Sequence, residues 1–510
     1  MSTPVRVRSL GSPECSAILA SGGERLLDGW WGRYVAVLRD AAGAVRVLRD
    51  PSGTLPCFRL HSNGLQLFFS DVEDCLALQQ PLSIDWNHVA AFVSGRSCTH
   101  AVPMQKKPAF AGHETGLAQV TEVEPGECVE LREGAVTRTL LWNPAVMASR
   151  NVMEDGDAAR QALLQTTRNC VRAWASCYPR IVHSLSGGLD SSIVLACLAA
   201  FQPPSSITCL HHFGSCPDED ERRFARLAAG HFDIDLVERP LLPEATDLRA
   251  ILGVRRSPRL SSYIGSLQRQ PFQARLASET NAQAIFTGTG GDGLFFQARA
   301  DLAIRDFAKS RGVRPALLSV ALDAALVSRR SVWPLLAAAF RDTERRDGPR
   351  SLWLQSADVV GPGKRWQIAS LASAPAFQDP LGHADDPERT HPLLSQPLIE
   401  LCLQIPTYVA IQGGWDRAIA RRAFSSSLPS AIVQRRAKGS ITQFSTALLD
   451  RNLPFVRELL LDGILVRERI LDRARLEHWL SGSHSLSDRA SSEILHTQLS
   501  AEAWARRWSA

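Results

Sequence analysis

The sequence is poor in lysine. Only five of its 57 basic residues are lysines, a bias that codon usage in a GC-rich genome would produce. Because arginine is the default cation of this chain, each lysine marks a position worth examining. The net charge of +5 is spread over 510 residues, so it does not predict binding to nucleic acid. The five positions are Lys106, Lys107, Lys309, Lys364 and Lys438.

The sequence also lacks cysteine motifs, targeting signals and long apolar runs. Its eleven cysteines are scattered, with no C-x-x-C pair and no Cys/His cluster at zinc spacing. Such a set predicts reduced thiols in the cytoplasm rather than a disulfide framework. The first residues lack the apolar core of a signal peptide. The longest apolar run, residues 316–327, contains Asp323 and is too short to cross a bilayer. We therefore expect a cytoplasmic protein without a membrane span.

The length and the patterning predict more than one domain. At roughly 100–200 residues per domain, the chain should form two or three domains. The first region looks β-rich, because short runs such as GRYVAVLRD, VRVLRD and LQLFFSD are separated by turns that contain Gly or Pro. A polar stretch at residues 143–157 precedes a long helical run. We place a first domain at residues 1–145 and a second at residues 150–510.

Strands alternate with helices beyond residue 180. RIVHSLS, SITCLHHF, DIDLVERPL and AIFTGTGGDG are typical of strands, and helical segments lie between them. This alternation predicts a parallel sheet with helices on its faces. Ligands of such sheets bind beyond the carboxyl ends of the strands, where both glycine-rich segments of this region lie. Residues 302–510 are predicted to be mostly helical.

The segment SGGLDSS, residues 186–192, lies between a predicted strand and a predicted helix. Backbone N–H groups and the positive end of the helix dipole favour an anion there, and glycines let phosphate oxygens approach the backbone. No Gly-Lys-Ser/Thr follows, so the segment is not a Walker A loop. It resembles the pyrophosphate-binding loop of ATP pyrophosphatases, which cleave ATP to AMP and pyrophosphate. The alternative is an ordinary tight turn with a helix cap.

A second glycine-rich segment, TGTGGDG at residues 287–293, follows a predicted strand of the same sheet. This placement would allow Asp292 and Asp190 to approach one site. Mg²⁺ needs few protein carboxylates when phosphates supply its other ligands, so the two aspartates are a candidate magnesium site. A solvated turn aspartate is the alternative for Asp292.

Residues 180–440 resemble the synthetase domain of asparagine synthetase-like ATP-dependent amidoligases. The resemblance rests on SLSGGLDSS, PDEDERRFARLAA, TGTGGDG, HPLLSQPLIELCLQIP and WDRAIARRAFSSSLPSAIVQRRAKG. The first region is similar to a degenerate copy of the family's glutaminase domain, through GRYVAVLRD, RDPSGTLPCF and FFSD. The implied fold is α/β. It has a β-rich, glutaminase-like (Ntn-type) domain and an ATP-pyrophosphatase-type parallel α/β domain with helical additions.

The resemblance also implies the functional residues. Asp190 and Asp292 would hold Mg²⁺ and take part in catalysis. Lys438 matches the lysine that the family places over the reacting centre, where a compact ammonium steadies pyrophosphate and a developing oxyanion. A surface cation in a basic run is the alternative for Lys438. The residues expected to bind ATP are Leu185, Ser186, Gly187, Gly188, Asp190, Ser191, Ser192 and Gly288.

Two departures from the family bear on the reaction. Ser2 stands where the glutaminase carries its nucleophilic cysteine, so we interpret the first domain as structural and expect another substrate to supply the amine. Thr289 stands where β-lactam synthetases and asparagine synthetases carry Tyr or Glu, and threonine is no general base at neutral pH. These departures and the chain length favour a lasso peptide cyclase, an isopeptide bond-forming macrolactam synthetase. The alternatives are a β-lactam synthetase-like or asparagine synthetase-like ligase and a non-catalytic nucleotide-binding protein.

The implied reaction is a two-step acyl transfer. An Asp or Glu side-chain carboxylate of a precursor peptide would attack the α-phosphorus of ATP. The peptide's own N-terminal amine would then displace AMP and close the ring. The resemblance implies a leader peptidase as a partner. His183, His211 and His212 are interpreted as core or hydrogen-bonding residues, and His391 as a residue that orients substrate rather than as the base.

Lys438 provides the first testable prediction. Arginine keeps the charge but replaces the compact ammonium with a broad planar fork. We therefore expect Lys438→Arg to bind ATP and to fail in ring closure. Calorimetric ATP titration and mass spectrometry of the product measure the two steps separately. Normal cyclisation by this variant would assign Lys438 no special role.

Overall fold

The computed structural model describes residues 9–76, 82–94, 112–262, 264–297, 300–341, 351–374, 386–436, 439, 442–481 and 489–509. Lys438, Ser2, Lys106 and Lys107 lie outside these residues, so the structure does not test their predicted roles.

The amino-terminal region contains two antiparallel sheets. One has the strand order β1-β2-β6-β7 and the other β4-β3-β5. The sequence-based description of this region as β-rich overlooked four short helices that precede or connect the strands. The elements are α1 Ser12–Ala20, α2 Glu24–Gly29, β1 Val35–Arg39, β2 Val45–Arg49, β3 Phe58–Ser62, β4 Leu65–Phe69, α3 Val72–Leu76, α4 Trp86–Val93, β5 Val120–Glu122, β6 Glu127–Arg132, β7 Ala135–Leu140 and α5 Pro144–Ser149.

Five parallel strands in the order β10-β9-β8-β11-β12 form the central sheet. The predicted parallel sheet is confirmed, because the four predicted strands all pair in parallel. The fifth strand, β12, pairs with β11 and lies in the part of the sequence predicted to be mostly helical. The elements are α6 Gly156–Ala175, β8 Ile181–Ser184, α7 Leu189–Ala199, β9 Ile207–Phe213, α8 Arg222–His231, β10 Asp235–Pro240, α9 Arg269–Glu279, β11 Ala284–Thr287 and β12 Glu388–Thr390.

Helices make up most of the described chain beyond β11. None of them combines the length and the apolar character that crossing a bilayer requires. They are α10 Gly291–Leu294, α11 Asp301–Arg311, α12 Ala316–Ser328, α13 Val332–Ala339, α14 Leu352–Gln355, α15 Pro362–Ser373, α16 Gln396–Gln404, α17 Thr407–Ala410, α18 Ala418–Phe424, α19 Ser430–Val433, α20 Thr442–Arg451, α21 Leu453–Leu461, α22 Ile464–Arg467, α23 Arg473–Ser481 and α24 Arg489–Ser509.

Different helices cover the two faces of the parallel sheet. Ile181 and Cys209 share an apolar cluster with residues of α7 and α8, whereas Val182, Leu210 and Ile285 pack with residues of α9. Side chains of a strand alternate between the faces. Successive side chains at the end of each strand therefore face the α7/α8 side and the α9 side alternately.

The amino-terminal sheets share their apolar core with the rest of the chain. Phe58 and Leu60 of β3 belong to one cluster with Leu465 and Trp504 from the carboxyl-terminal helices. Burial of such side chains contributes roughly 1.5–3 kcal/mol each. Because this core is continuous, the division into residues 1–145 and 150–510 stays a prediction.

A buried carboxylate joins the two regions. Arg49, with no exposed surface, donates from Nη1 to Glu122 Oε1 over 2.5 Å. Arg259, from the second region, donates from Nε to Glu122 Oε2 over 2.6 Å. Burial by itself would raise the pKa of Glu122, but Arg259 and Arg49 outweigh burial and hold that pKa below its ordinary value. Glu122 is therefore an ionised bridge between two arginines.

Both lysines that the structure describes, Lys309 and Lys364, have hydrogen-bond partners. Lys309 donates to two backbone carbonyl groups, at 2.7 and 2.8 Å. Lys364 is buried and donates to Gln367 Oε1 and to the Ile405 carbonyl, both at 2.7 Å. Gln367 donates in turn to the Leu294 carbonyl over 2.7 Å. Lys364 thus supports α10, the short helix that contains Asp292.

Glu122→Gln is expected to destabilise the protein. Removing one partner of a buried ion pair costs about 3–5 kcal/mol, because Arg49 stays buried beside a neutral amide. A carboxylate with a lowered native pKa stabilises the fold above its unfolded-state pKa and loses this contribution as the pH falls through the native value. The difference in the free energy of unfolding between variant and wild type is therefore largest at neutral pH, and it shrinks below the ordinary pKa of 4.5.

Urea and thermal unfolding of the whole chain measure this effect. Glu458→Gln is the matched control, because the pair of Glu458 with Arg249 is exposed and should contribute at most about 1 kcal/mol. Equal decreases in the free energy of unfolding of the two variants would contradict the role given to Glu122.

Candidate active site

The two glycine-rich loops meet where the strand order reverses. β8 and β11 are neighbours in the centre of the sheet, and the chain continues from β8 to β9 in one direction and from β11 to β12 in the other. A crevice forms beyond the carboxyl ends at such a switch point. The first loop, residues 185–188, leads from β8 into α7, and the second loop, residues 288–290, leads from β11 into α10.

Glycine is required where these loops touch. A Cβ atom on Gly288 would lie 2.6 Å from the backbone nitrogen of Ser191, and one on Gly291 would lie 2.5 Å from the carboxyl carbon of Asp190. Gly187 has a φ of 75° and lies against the backbone of α8. Only glycine meets both limits without strain. The close approach places α7 and α10 side by side at their amino-terminal ends.

The first loop offers donors for an anion. Gly188, the N-cap residue of α7, has no capping side chain, so the first N–H groups of the helix can still bind an anion. Ser191 Oγ accepts from the backbone nitrogen of Ser186 over 3.2 Å and lies 2.9 Å from Ser186 Oγ. The side chains of Ser192 and Leu185 are buried. Of these last two residues, only the backbone is placed to contact a nucleotide.

Asp190 and Asp292 lie beside one arginine. Arg417 Nη1 is 3.1 Å from Asp190 Oδ2 and 3.4 Å from Asp292 Oδ1, and Arg417 Nε is 2.9 Å from Asp416. Burial would lower the pKa of Arg417, but the carboxylates of Asp190, Asp416 and Asp292 outweigh burial and raise it. The two aspartates are therefore close enough to share one cation.

Arg417 reaches this position through an unusual backbone conformation. Its φ is 53° at the N-cap of α18, in a region that costs a non-glycine residue about 1–3 kcal/mol. Arg421, one turn later, donates to Asp416 over 2.7 Å and so fixes the acid that pairs with Arg417. Gln297, in the amide orientation that satisfies both of its ends, donates to Asp292 and accepts from Arg417. The surrounding contacts thus hold a strained residue at the site.

Glu221 contacts the chain on both sides of Lys438. Its Oε1 accepts from the backbone nitrogen of Gly439 over 2.9 Å and pairs with the guanidinium of Arg435. That guanidinium lies 4.0 Å from the centre of the Phe224 ring and donates to a carbonyl of the first loop. The helix predicted from PDEDERRFARLAA begins only after Glu221. Glu221 therefore links Gly439 to Arg435, which lies three residues before Lys438 and contacts the first loop.

Thr289 is connected to a buried histidine. Thr287 Oγ1 donates to Thr289 Oγ1 over 2.9 Å and lies 2.7 Å from His391 Nδ1. Burial, and then the charges of Arg389 and Arg33, lower the pKa of His391 to about 3. The imidazole is uncharged at neutral pH, so this chain of hydrogen bonds orients the Thr289 hydroxyl.

Two other histidines, on strands β8 and β9, support the first turn of α7 and the first loop. His183 Nε2 lies 2.9 Å from the Ser191 carbonyl, and His211 Nδ1 lies 2.8 Å from the Leu185 carbonyl. Burial lowers the pKa of His183 to about 4. These contacts agree with the interpretation of both residues as hydrogen-bonding members of the core.

Sequence reasoning did not single out Arg417 or Glu221. Arg417 lies in WDRAIARRAF, a segment used for the resemblance without a role for its arginines, and an arginine-rich composition hides it. Glu221 follows three other acidic residues. Their places in the sequence could have pointed to both residues. Arg417 lies in the same family-like segment as Lys438, and Glu221 lies in the segment PDEDERRFARLAA.

Comparison with known proteins identifies the family. A family model described as asparagine synthase matches residues 160–506, which is more than half of the chain. The chain belongs to the asparagine synthase family, and it carries an ATP-dependent amidoligase-type domain. No curated protein matches it.

One similar solved structure is the glutamine-dependent NAD+ synthetase from Acinetobacter baumannii in complex with adenosine diphosphate. It is 12% identical, covers 65% of this chain and 82% of its own, and has a TM-score of 0.19. At that TM-score the likeness carries no argument about this chain.

Arg417→Gln is expected to change metal binding in the absence of nucleotide. Arg417 neutralises Asp190 and Asp292, and its removal leaves two neighbouring carboxylates without their shared cation. Affinity for Mn²⁺, used as a probe for Mg²⁺, should rise about tenfold or more. Electron paramagnetic resonance titration measures free Mn²⁺ directly.

Arg422→Gln is the matched control, because Arg422 lies on the same helix and pairs with Asp157 outside the crevice. The increase in Mn²⁺ affinity should disappear in the double variant that carries both Arg417→Gln and Asp190→Asn. An unchanged Mn²⁺ affinity in Arg417→Gln would show that Arg417 does not occupy the position of a metal ion.

Proposed function

We propose that this protein is a lasso peptide cyclase. In this proposal it adenylates an Asp or Glu side-chain carboxylate of a precursor peptide and forms a macrolactam with the peptide's N-terminal amine, releasing AMP and pyrophosphate. The observation that carries the proposal is the approach of Asp190 and Asp292 to one cation beside the first loop. A threonine at position 289 supports a branch of the family other than asparagine synthesis.

The first loop is proposed to bind the phosphates of ATP. Ser186 and Ser191 would donate from their hydroxyl groups, Gly187 and Gly188 from the backbone, and Leu185 and Ser192 would contribute only backbone groups. Gly288 would hold the second loop against the first. Electrostatic stabilisation of the pyrophosphate leaving group is the main chemical task of such a site.

The donor set of Asp190 and Asp292 fits Mg²⁺. A cationic group already lies between these carboxylates. Within the described residues, no group of three or more His, Cys, Asp or Glu could hold a metal, so phosphate oxygens and water would complete the coordination. When bound, Mg²⁺ would neutralise charge on the departing pyrophosphate.

The second step needs the acyl-adenylate to meet an amine instead of water. Attack by an amine of the same bound peptide supplies the proximity that speeds the step. A histidine with a pKa of about 3 is a weak base, so we assign His391 the task of orienting Thr289. Lys438 is proposed to stabilise the reacting phosphates, and Glu221 holds the nearby residues Arg435 and Gly439.

We further propose that residues 1–145 are a glutaminase-like (Ntn-type) domain that has lost catalysis. Ser2 replaces the cysteine nucleophile in the sequence. The interior of this region is held by Arg49 and Glu122, and Glu122 is shared with Arg259 of the second region. The precursor peptide and a leader peptidase are the partners that this proposal requires.

A reconstituted reaction tests the proposal. The substrate would be a peptide with a free amino terminus and an internal Asp or Glu, encoded by a short reading frame beside the gene. We expect AMP and pyrophosphate release that depends on the peptide, and a product lighter than the peptide by one water. Asp190→Ala should abolish turnover, because the variant loses one metal-binding carboxylate.

Asp462→Asn is the control for Asp190→Ala. Asp462 is exposed, pairs with Arg473 and lies far from Asp190 in the sequence. Amide formation only from aspartate and ammonia would identify an asparagine synthetase-like ligase. Activity only on a small amino acid derivative would identify a β-lactam synthetase-like enzyme. Nucleotide binding without substrate-dependent pyrophosphate release would identify a non-catalytic member of the family.

A further inference from the structure

The α9 side of the crevice is lined by polar side chains that the proposed reaction does not yet use. His212 of β9 has the same orientation as Leu210, and Arg389 of β12 pairs in register with Ile285 of β11. Leu210 and Ile285 both pack against α9, so the alternation of strand side chains turns His212 and Arg389 to that side as well. Because α9 packs against β8 and β11 and runs back towards the start of β11, its first residue, Arg269, lies near the carboxyl ends of these strands.

Arg269 is a partly buried arginine without an acidic partner. Its Nε donates to the Gly265 carbonyl over 2.6 Å, and no described carboxylate forms an ion pair with it. Burial, and then the charge of Arg389, lower the pKa of Arg269. The buried arginines Arg49, Arg417 and Arg421 each contact a carboxylate. A cation held below the surface without a counter-charge is costly unless a ligand supplies one.

His212 adds unused hydrogen-bonding capacity to the same place. Both of its ring nitrogens are buried without a partner among the described residues. Its ring packs edge-on against Phe272 of α9, with 6.0 Å between the ring centres. Burial, and then the charges of Arg269, His211 and Arg239, lower the pKa of His212 to about 3. The neutral ring therefore keeps one N–H donor that a ligand could use.

Gln273 connects this cluster to the first loop. Arg389 Nη1 donates to Gln273 Oε1 over 2.7 Å, and Gln273 Nε2 donates to Ser184 Oγ over 3.4 Å. Ser184 ends β8, two residues before Ser186 of the loop. The cluster is thus adjacent to the predicted phosphate site but on the side of the sheet opposite to α7.

We propose that Arg269, Arg389 and His212 form a binding site for an anionic group of the substrate, namely the carboxylate that is to be adenylated. Two guanidinium groups and an imidazole N–H suit a planar carboxylate, which accepts several charge-assisted hydrogen bonds. This inference rests on the proposed function for the identity of the ligand. The α-phosphate of the nucleotide has the same chemistry and is the other source to be distinguished.

Binding measurements on the whole chain test the site without requiring turnover. The probes are N-acetyl-aspartate α-amide and its neutral asparagine counterpart for the carboxylate, and AMP and adenosine for the phosphate. Dissociation constants come from calorimetric or thermal-shift titration. We expect the wild type to prefer the aspartate compound over the asparagine compound. Arg269→Gln should weaken binding of the aspartate compound about tenfold or more.

Arg275→Gln is the matched control. Arg275 lies on the same helix and over the same Phe272 ring, but it is exposed and pairs with Glu279, so its removal should change binding less than about twofold. Arg269→Lys keeps the charge and loses the planar fork, and an intermediate loss is expected. Unfolding midpoints of the variants separate loss of binding from loss of folding.

Each outcome decides the assignment. Equal binding of the aspartate compound by wild type and Arg269→Gln, or no preference of the wild type for either anion, would overturn the site. A loss confined to AMP would overturn the carboxylate assignment and give the site to the nucleotide phosphate. Selective binding of the aspartate compound in a protein that closes no peptide ring would support the site and refute only the cyclase.

Discussion

The contact between the two glycine-rich loops is the constraint on which the site depends. Gly288 and Gly291 let the second loop reach the backbone of Ser191 and the side chain of Asp190. A methyl group at either glycine would force the loops apart, and Asp292 would move away from Asp190. Hydrogen bonds stabilise this contact on both sides. His183 of β8 lies within hydrogen-bond distance of the Ser191 carbonyl, and Gln367, which is bound by Lys364, donates to the Leu294 carbonyl of α10. Asp190 and Asp292 can approach each other because the glycines allow the two loops to pack closely.

The crevice has two sides of opposite electrostatic character. On the α7 side, Asp190 and Asp292 are balanced by Arg417, a cation built into the chain. On the α9 side, Arg269 has no described acid to balance it. Under the proposed function, a metal ion that arrives with the nucleotide would take the place of Arg417 on the first side. A carboxylate suits the second side. This asymmetry would suit the proposed first step, in which a carboxylate attacks the α-phosphorus of ATP and pyrophosphate leaves.

The sequence predicts the sheet and the loops well because both depend on local signals. Apolar runs of strand length and glycines before a helix are visible in any short window. β12 is short and polar, with Glu388 and Arg389 in it, so it has no such signal and exists through pairing with β11. The roles of Arg417 and Arg269 depend on charge balance between distant segments. Only the fold shows which of the many arginines faces acids and which has no acid among the described residues.

The amino-terminal region makes packing and ionic contacts with the rest of the chain that do not depend on any chemistry of its own. Its β3 residues share a core with Trp504 at the other end of the chain, and Glu122 is bound by arginines from both regions. Trp353 donates to the Pro125 carbonyl over 2.7 Å. Removing the region would expose this apolar core and leave Arg259 without its carboxylate. Such losses would lower the stability of the fold whether or not the region catalyses a reaction.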